Sequence, residues 1–461
     1  MSSDRPINAD VPVPGEPAPA QPEQPARAEK ATSSPAAKPS RPTPSRPQRK
    51  RRRRKPIPAA LKGIVGLVLI AIVFILIAIV GGSGGSKGDD PASPAPAPAP
   101  TAADSGSDDA QAIQTAEQLG YPGFATGNTT RVGGSDPVAN AAAVALATFP
   151  STTPTQQPAA VTLVGEDDWA AGLAAAVLMS APVRAPVLLS NSDQLPEPSA
   201  EALAVLDPQG GPATGGASTF AIGDVAAADG AELMPVKGGG AAATAASIAK
   251  LRDRLFGSDP AHILVAPLNP ELAMPAAAWA ARSGDPILFA AGDKLPKPTV
   301  AALKRHDDVP VYVLGPSSAI SSKAVRAIAK IGNEIHRVSG EDPVANAIAF
   351  ARYADGDFGW NINDPGHGFV LARADSPLDA AAAAPLSASG TWGPLLLTDS
   401  ATSLPAALRE YFLDVKPGYT TNPTRAFYNH VWVIGDQEAI DVNQQAEVNA
   451  LAELAKIGGA R

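Results

Sequence analysis

The chain has 461 residues, 45% hydrophobic, 18% charged and only 5% aromatic, so a wholly disordered protein is excluded and alanine with small aliphatic side chains must build the core. Cysteine is absent, which removes disulfide frameworks, cysteine zinc sites, iron–sulfur clusters and thiol nucleophiles together. The net charge of −8 conceals two populations: residues 1–62 hold 14 basic and 5 acidic side chains, and the remainder is left at −17.

Residues 1–58 carry 14 prolines among Ala, Glu, Arg and Ser, a composition that cannot bury enough surface to offset chain entropy, and they are expected to form a disordered tail. Seven consecutive basic residues, Arg49 to Lys55, then precede 24 uncharged ones, Gly63 to Ser86, whose core IVGLVLIAIVFILIAIV is almost entirely Ile, Leu and Val. Eighteen helical residues reach roughly 27 Å, close to the hydrocarbon thickness of a bilayer. A transmembrane helix over 60–82 is expected, uncleaved because its preceding region and its apolar run are both longer than those of a secretory signal. The flanking basic cluster puts the N-terminus in the cytoplasm and the C-terminus outside. The bilayer is therefore one expected partner. No nucleic-acid role is read into the basic run, which topology explains. Residues 83–110 pass from Gly/Ser to a Pro-Ala rod and an acidic patch, a linker that spaces the remainder from the membrane.

Beyond residue 110 the chain repeats itself. DPVANA occurs at 136–141 and again at 342–347, an offset of 206, and an alanine-rich stretch near 240 supplies a middle copy at half that distance. Short apolar runs recur in the same register: RVGG, PVKG and RVSG; VTLVG, HILVA and GFVLA; PVLLS, PILFA and PLLLT; TFAIG, VYVLG and VWVIG. These are four predicted strands per unit and twelve in all. Because they are continuous rather than alternating, they belong in parallel sheets covered on both faces by the intervening alanine-rich helices. The units are placed at 111–232, 233–333 and 334–461.

These units resemble the cell wall-binding repeat 2 family, most closely in GFVLARADSPLDAAAAAPLSASGTWGPLLLTDSATSL and VWVIGDQEAI of the third unit. The resemblance implies an α/β fold of three tandem Rossmann-like modules arranged about a pseudo-threefold, and attachment to anionic wall polymers. It departs where the family's first helix opens with an Arg-Tyr pair, for this chain has Asp136-Pro137 and Asp342-Pro343 instead. The second helix's acidic residue is read as Asp379 in unit three and Glu271 in unit two, with Ala171 in unit one.

Parallel sheets bind ligands at the carboxyl ends of their strands. The candidate ligand-binding residues are accordingly Arg131, Asp136, Asp168, Glu271, Arg337, Asp342 and Asp379. The aspartates read equally as helix caps, and the arginines as structural groups between units. A surface at −17 would repel an anionic polymer unless divalent cations bridge the two, so uncharged glycan competes as the partner. The five histidines show no metal-ligand spacing, and no nucleotide, hydrolase or metalloprotease motif occurs. The Trp residues at 169, 279, 360, 392 and 432 could stack on sugar rings, but most fall within helical or strand runs and read as core. The expectation is a non-catalytic membrane protein without cofactor that binds wall polymer or peptidoglycan, a solute-binding receptor head being the alternative and an envelope hydrolase the third reading.

Overall fold

A computed structural model describes residues 125–389 and 391–458. The expected tail, span and linker lie outside these residues. Among the described residues no helix is long and apolar enough to cross a membrane.

Three four-stranded sheets, parallel throughout, carry the fold. The third is completed by the first strand of the chain, β1 (Thr129–Val132). The first sheet contains β2 (Val161–Gly165), β3 (Val187–Ser190), β4 (Thr219–Ile222) and β5 (Leu233–Val236), in the order β3-β2-β4-β5. The second repeats this order as β7-β6-β8-β9, with β6 (Ile263–Pro267), β7 (Ile287–Ala290), β8 (Val311–Leu314) and β9 (Ile335–Val338). The third contains β10 (Gly368–Arg373), β11 (Leu395–Thr398) and β13 (His430–Ile434), ordered β11-β10-β13-β1. Two short strands, β12 (Gly418–Tyr419) and β14 (Ala455–Lys456), pair separately. All twelve runs picked out by their register are strands.

The sheets are offset by one strand from the units expected at 111–232, 233–333 and 334–461. The strand that opens each unit does not join its own sheet: β5 pairs with β4, β9 with β8, and β1 with β13. In the last case Thr129 lies opposite Val431 and Val132 opposite Ile434, so the two ends of the described chain are sewn into one sheet.

The first helix of each unit, α1 (Pro137–Thr148), α4 (Ala241–Phe256) or α9 (Pro343–Arg352), crosses to the following sheet. Two begin with Pro at the first helical position behind an Asp cap, an arrangement that loses no donor and meets the helix dipole. The second helices are α2 (Trp169–Ala175), α6 (Pro275–Ser283, preceded by the single turn α5, Pro270–Ala273) and α10 (Pro377–Ala388). Further helices α3 (Glu197–Leu206), α7 (Lys297–Leu303), α8 (Ser322–Ala329), α11 (Ala406–Asp414) and α12 (Val442–Ala452) cover the outer faces.

The three second helices pack on one another at the centre. Alanine makes this possible. Residues Leu378 to Ser387 of α10 are buried on every face, as are Ala170 to Ala175 of α2. A methyl group added at Gly172 would come within 3.0 Å of Leu378 and 3.2 Å of Ala381, so α2 and α10 approach as closely as their side chains permit.

Candidate functional site

In each sheet the strand order reverses between its two central strands, and the carboxyl ends of such a pair are where a parallel sheet forms its crevice. In the third sheet this crevice is a cavity of about 260 Å³ lined by Asp136, Asn140, Arg373, Asp375, Asp379, Asp436 and Glu438, among others. Its walls come from two different units, the start of α1 and the start of α10.

Asn140 joins the two walls. Its Oδ1 accepts the Gly134 backbone N–H at 2.8 Å, and its Nδ2 donates to Asp379 Oδ1 at 2.8 Å. The strand end comes this close only because residue 133 is glycine: its φ is +129°, and a Cβ there would lie 2.2 Å from Asn140 Oδ1. Asp379 is 2% exposed. Burial pushes its carboxyl up to about 6, the Asn140 and Ser376 hydrogen bonds only partly offset this, and the nearby Asp136 and Asp375 carboxylates add to it. Beside it, Arg373 grips Asp375 with two bonds, Nε to Oδ1 at 3.0 Å and Nη2 to Oδ2 at 2.6 Å. That pairing holds the Asp375 carboxyl below its ordinary value. The cavity thus couples one buried acid to a neutralised surface pair.

The equivalent crevice of the second sheet, about 380 Å³, is lined by Pro267, Leu268, Asn269, Leu272, Gly292, Ser318 and Ala319, with no charge among them. Asn346 takes the place of Asn140, with Oδ1 accepting the Gly340 N–H at 3.1 Å and Nδ2 donating to the Leu272 carbonyl at 3.0 Å. Asn269 occupies the N-cap position that Ser376 holds before α10, so Leu272, not Glu271, stands where Asp379 stands. Glu271 is half-buried and one position out of register.

Arg131 and Arg337 have work other than ligand binding. Arg131 is 7% exposed, and its five N–H groups are taken by Gln445 Oε1 and the carbonyls of Gly435, Asp436 and Ile440. It staples β1 to the turn after β13, and no donor remains for a ligand. Arg337 does the same in the second sheet, donating to the carbonyls of Gly315 and Ile320. The aspartates are caps: Asp136 accepts from the Ala139 N–H, Asp168 from Ala171 and Asp342 from Ala345. Of the seven residues expected to bind, only Asp136 and Asp379 share a cavity. The residues missed were Asn140 and Asn346, although their identity within the repeated DPVANA was a usable signal. Among the described residues no group of three or more His, Asp or Glu side chains is placed to hold a metal ion.

Residues 236–325 and 337–444 match the cell wall binding domain 2 (CWB2) family. Both stretches start within a strand that opens a unit, β5 or β9. Among solved structures, the chain is similar to Cwp6 from Clostridium difficile, with 21% identity and a TM-score of 0.56 over 70% of this chain and 47% of that one. Cwp8 from Clostridium difficile matches at 22% identity and a TM-score of 0.54, over 75% of this chain and 54% of that one. At such identity the likeness is one of fold. The chain spans about half the length of these proteins. No curated protein matches it.

Proposed function

We propose that the protein is a non-catalytic tether that holds the bacterial membrane to its wall: a basic cytoplasmic tail, one membrane span over 60–82, a linker, and a three-module head that binds wall glycan. The observation that carries this reading is the CWB2 match over the second and third modules. The first module lies outside the match but repeats the strand order of the other two, which supports its reading as a third copy. The uncharged run from Gly63 to Ser86 behind seven basic residues supports the span and its direction.

The charge of −17 beyond residue 62 favours an uncharged glycan over an anionic polymer; among the described residues Arg131 spends its donors within the protein, and Arg373 is paired with Asp375, leaving its Nη1 without a partner. The full chain in detergent is expected to sediment with isolated wall sacculi, and to do so with little change across a salt series. Failure to sediment at any salt concentration overturns the proposal. Sedimentation that requires added divalent cations would replace neutral glycan with a bridged anionic polymer.

A further inference from the structure

The amino ends of the third sheet differ from those of the other two. The connection between α11 and β13 runs from 415 to 429, longer than the 304–310 connection at the same place in the second module, and it carries two solvent-facing aromatic rings. Phe427 is 70% exposed and Tyr428 56%. On the loop before β11, Trp392 is 55% exposed and holds a left-handed φ of +56°, a conformation that bulky side chains rarely adopt. Most of the tryptophans were expected in the core, and this one is outside it.

The loops that carry these rings are tied to their surroundings. Buried Asn429 accepts the Gly366 and His367 N–H groups at 2.8 and 3.1 Å and donates to the Val415 carbonyl at 2.8 Å, tying the loop to the strand start beside it. The Tyr428 hydroxyl donates to the Pro423 carbonyl at 3.0 Å, and the Trp392 carbonyl accepts from Arg282 Nη1 at 2.9 Å. Because β11 and β13 flank β10 in a parallel sheet, the loops that lead into them open at the same end of the sheet with one strand between them. At the other end of the insertion, a cleft of about 320 Å³ is lined by Tyr419, Thr420, Thr421, Asn422, Arg425 and Ile457, with hydroxyl, amide and guanidinium groups and no carboxylate.

Exposed rings on two loops at one end of the sheet, beside a cleft rich in neutral hydrogen-bonding groups on an otherwise acidic protein, suit a chain of uncharged sugars. Apolar ring faces stack on the C–H faces of pyranoses, while hydroxyls and amides are met by Thr, Asn and Arg. We propose that Trp392 and Phe427 form a stacking platform for an uncharged glycan strand, whose continuation lies in the Thr420–Arg425 cleft. This deepens the wall-binding reading and rests on it.

The test titrates the full chain in detergent with a soluble N-acetylglucosamine hexamer, followed by calorimetry, alongside sedimentation with sacculi. Trp392→Ala or Phe427→Ala should each weaken hexamer binding at least 5-fold, the double variant should abolish it, and Phe427→Trp should retain it. All should keep the wild-type unfolding midpoint, since the rings removed are exposed. Hexamer binding that survives the double substitution overturns the proposal, as does a wild-type chain that ignores the hexamer. If that wild-type chain still sediments with sacculi, the platform falls and wall binding stands. If it does neither, both fall. Concentration-dependent self-association lost in the double variant would assign the surface to a second copy instead.

Discussion

Replacing Asp379 with Asn should make the head more stable at neutral pH, against the usual effect of changing a buried residue. Asp379 is 2% exposed, and folding raises its carboxyl from the ordinary 3.8 to about 6. At about 1.4 kcal/mol per pH unit, that displacement corresponds to about 3 kcal/mol. The folded value is the higher one, so folding favours the protonated acid. The contribution is complete below the unfolded value and is lost as pH rises through about 6. Asparagine cannot ionise, yet its Oδ1 still accepts the hydrogen bond that Asn140 now gives Asp379 at 2.8 Å. Urea-unfolding midpoints of the wild type and Asp379→Asn, taken at about pH 3.0, 5.0 and 7.5, should therefore coincide at the acidic end. They should separate in the variant's favour at the neutral end by most of that amount. A difference that stays flat across the three pH values would refute the reasoning, because it would mean the carboxyl ionises in the folded head as easily as in water.

Two further substitutions test the joints between modules. Arg131→Ala withdraws five buried donors from the carbonyls of Gly435, Asp436 and Ile440 and from Gln445, and should cost on the order of 3 kcal/mol. Amide exchange should then accelerate in 129–132 and 431–434 together while the first sheet stays protected; uniform acceleration would contradict a local staple. His262 is 7% exposed, with Nδ1 3.2 Å from Asp285 and Nε2 3.1 Å from Asp357. Burial opposes its charge, but the hydrogen bond and charge of Asp285, joined by Asp357, prevail and hold its pKa above the ordinary value. Stability from this group is full below that ordinary value and lost as pH rises through the folded one. His262→Gln can satisfy only one carboxylate; it should cost about 1.5–3 kcal/mol at acidic pH and less at alkaline pH, read by thermal unfolding. An equal cost at both would exclude the charged form.

The twelve strands were legible because each is a short, continuous apolar run placed at a fixed offset from two others. Their sheet membership was not, since a repeat defines which residues are equivalent but not which neighbour each pairs with. Arg131 and Arg337 were correctly read as equivalent, but only the approach of the turns after β13 and β8 shows that they hold carbonyls. The Asn140–Asp379 bond joins residues 239 positions apart, a distance no local pattern spans. Glu271 went astray because it was matched by its acidic character, whereas it lies one position, about 100° round the helix, from the place of Asp379, which leucine holds. Phe427 escaped notice, and Trp392 was weighed as a sugar-stacking ring only alongside four other tryptophans, because composition does not separate a core ring from an exposed one.

The pairing of β1 with β13 also sets the route of mechanical force. Any tension transmitted along the chain preceding residue 125 enters the head at β1, whose four residues are hydrogen-bonded to the last module rather than to the one that follows them in sequence. A pull from that side therefore loads the third sheet first and reaches the first module only through the loop into α1. The same pairing spans about 300 residues, so the third sheet can be completed only after β13 has been synthesised, and that step should be the slow one in the folding of the head.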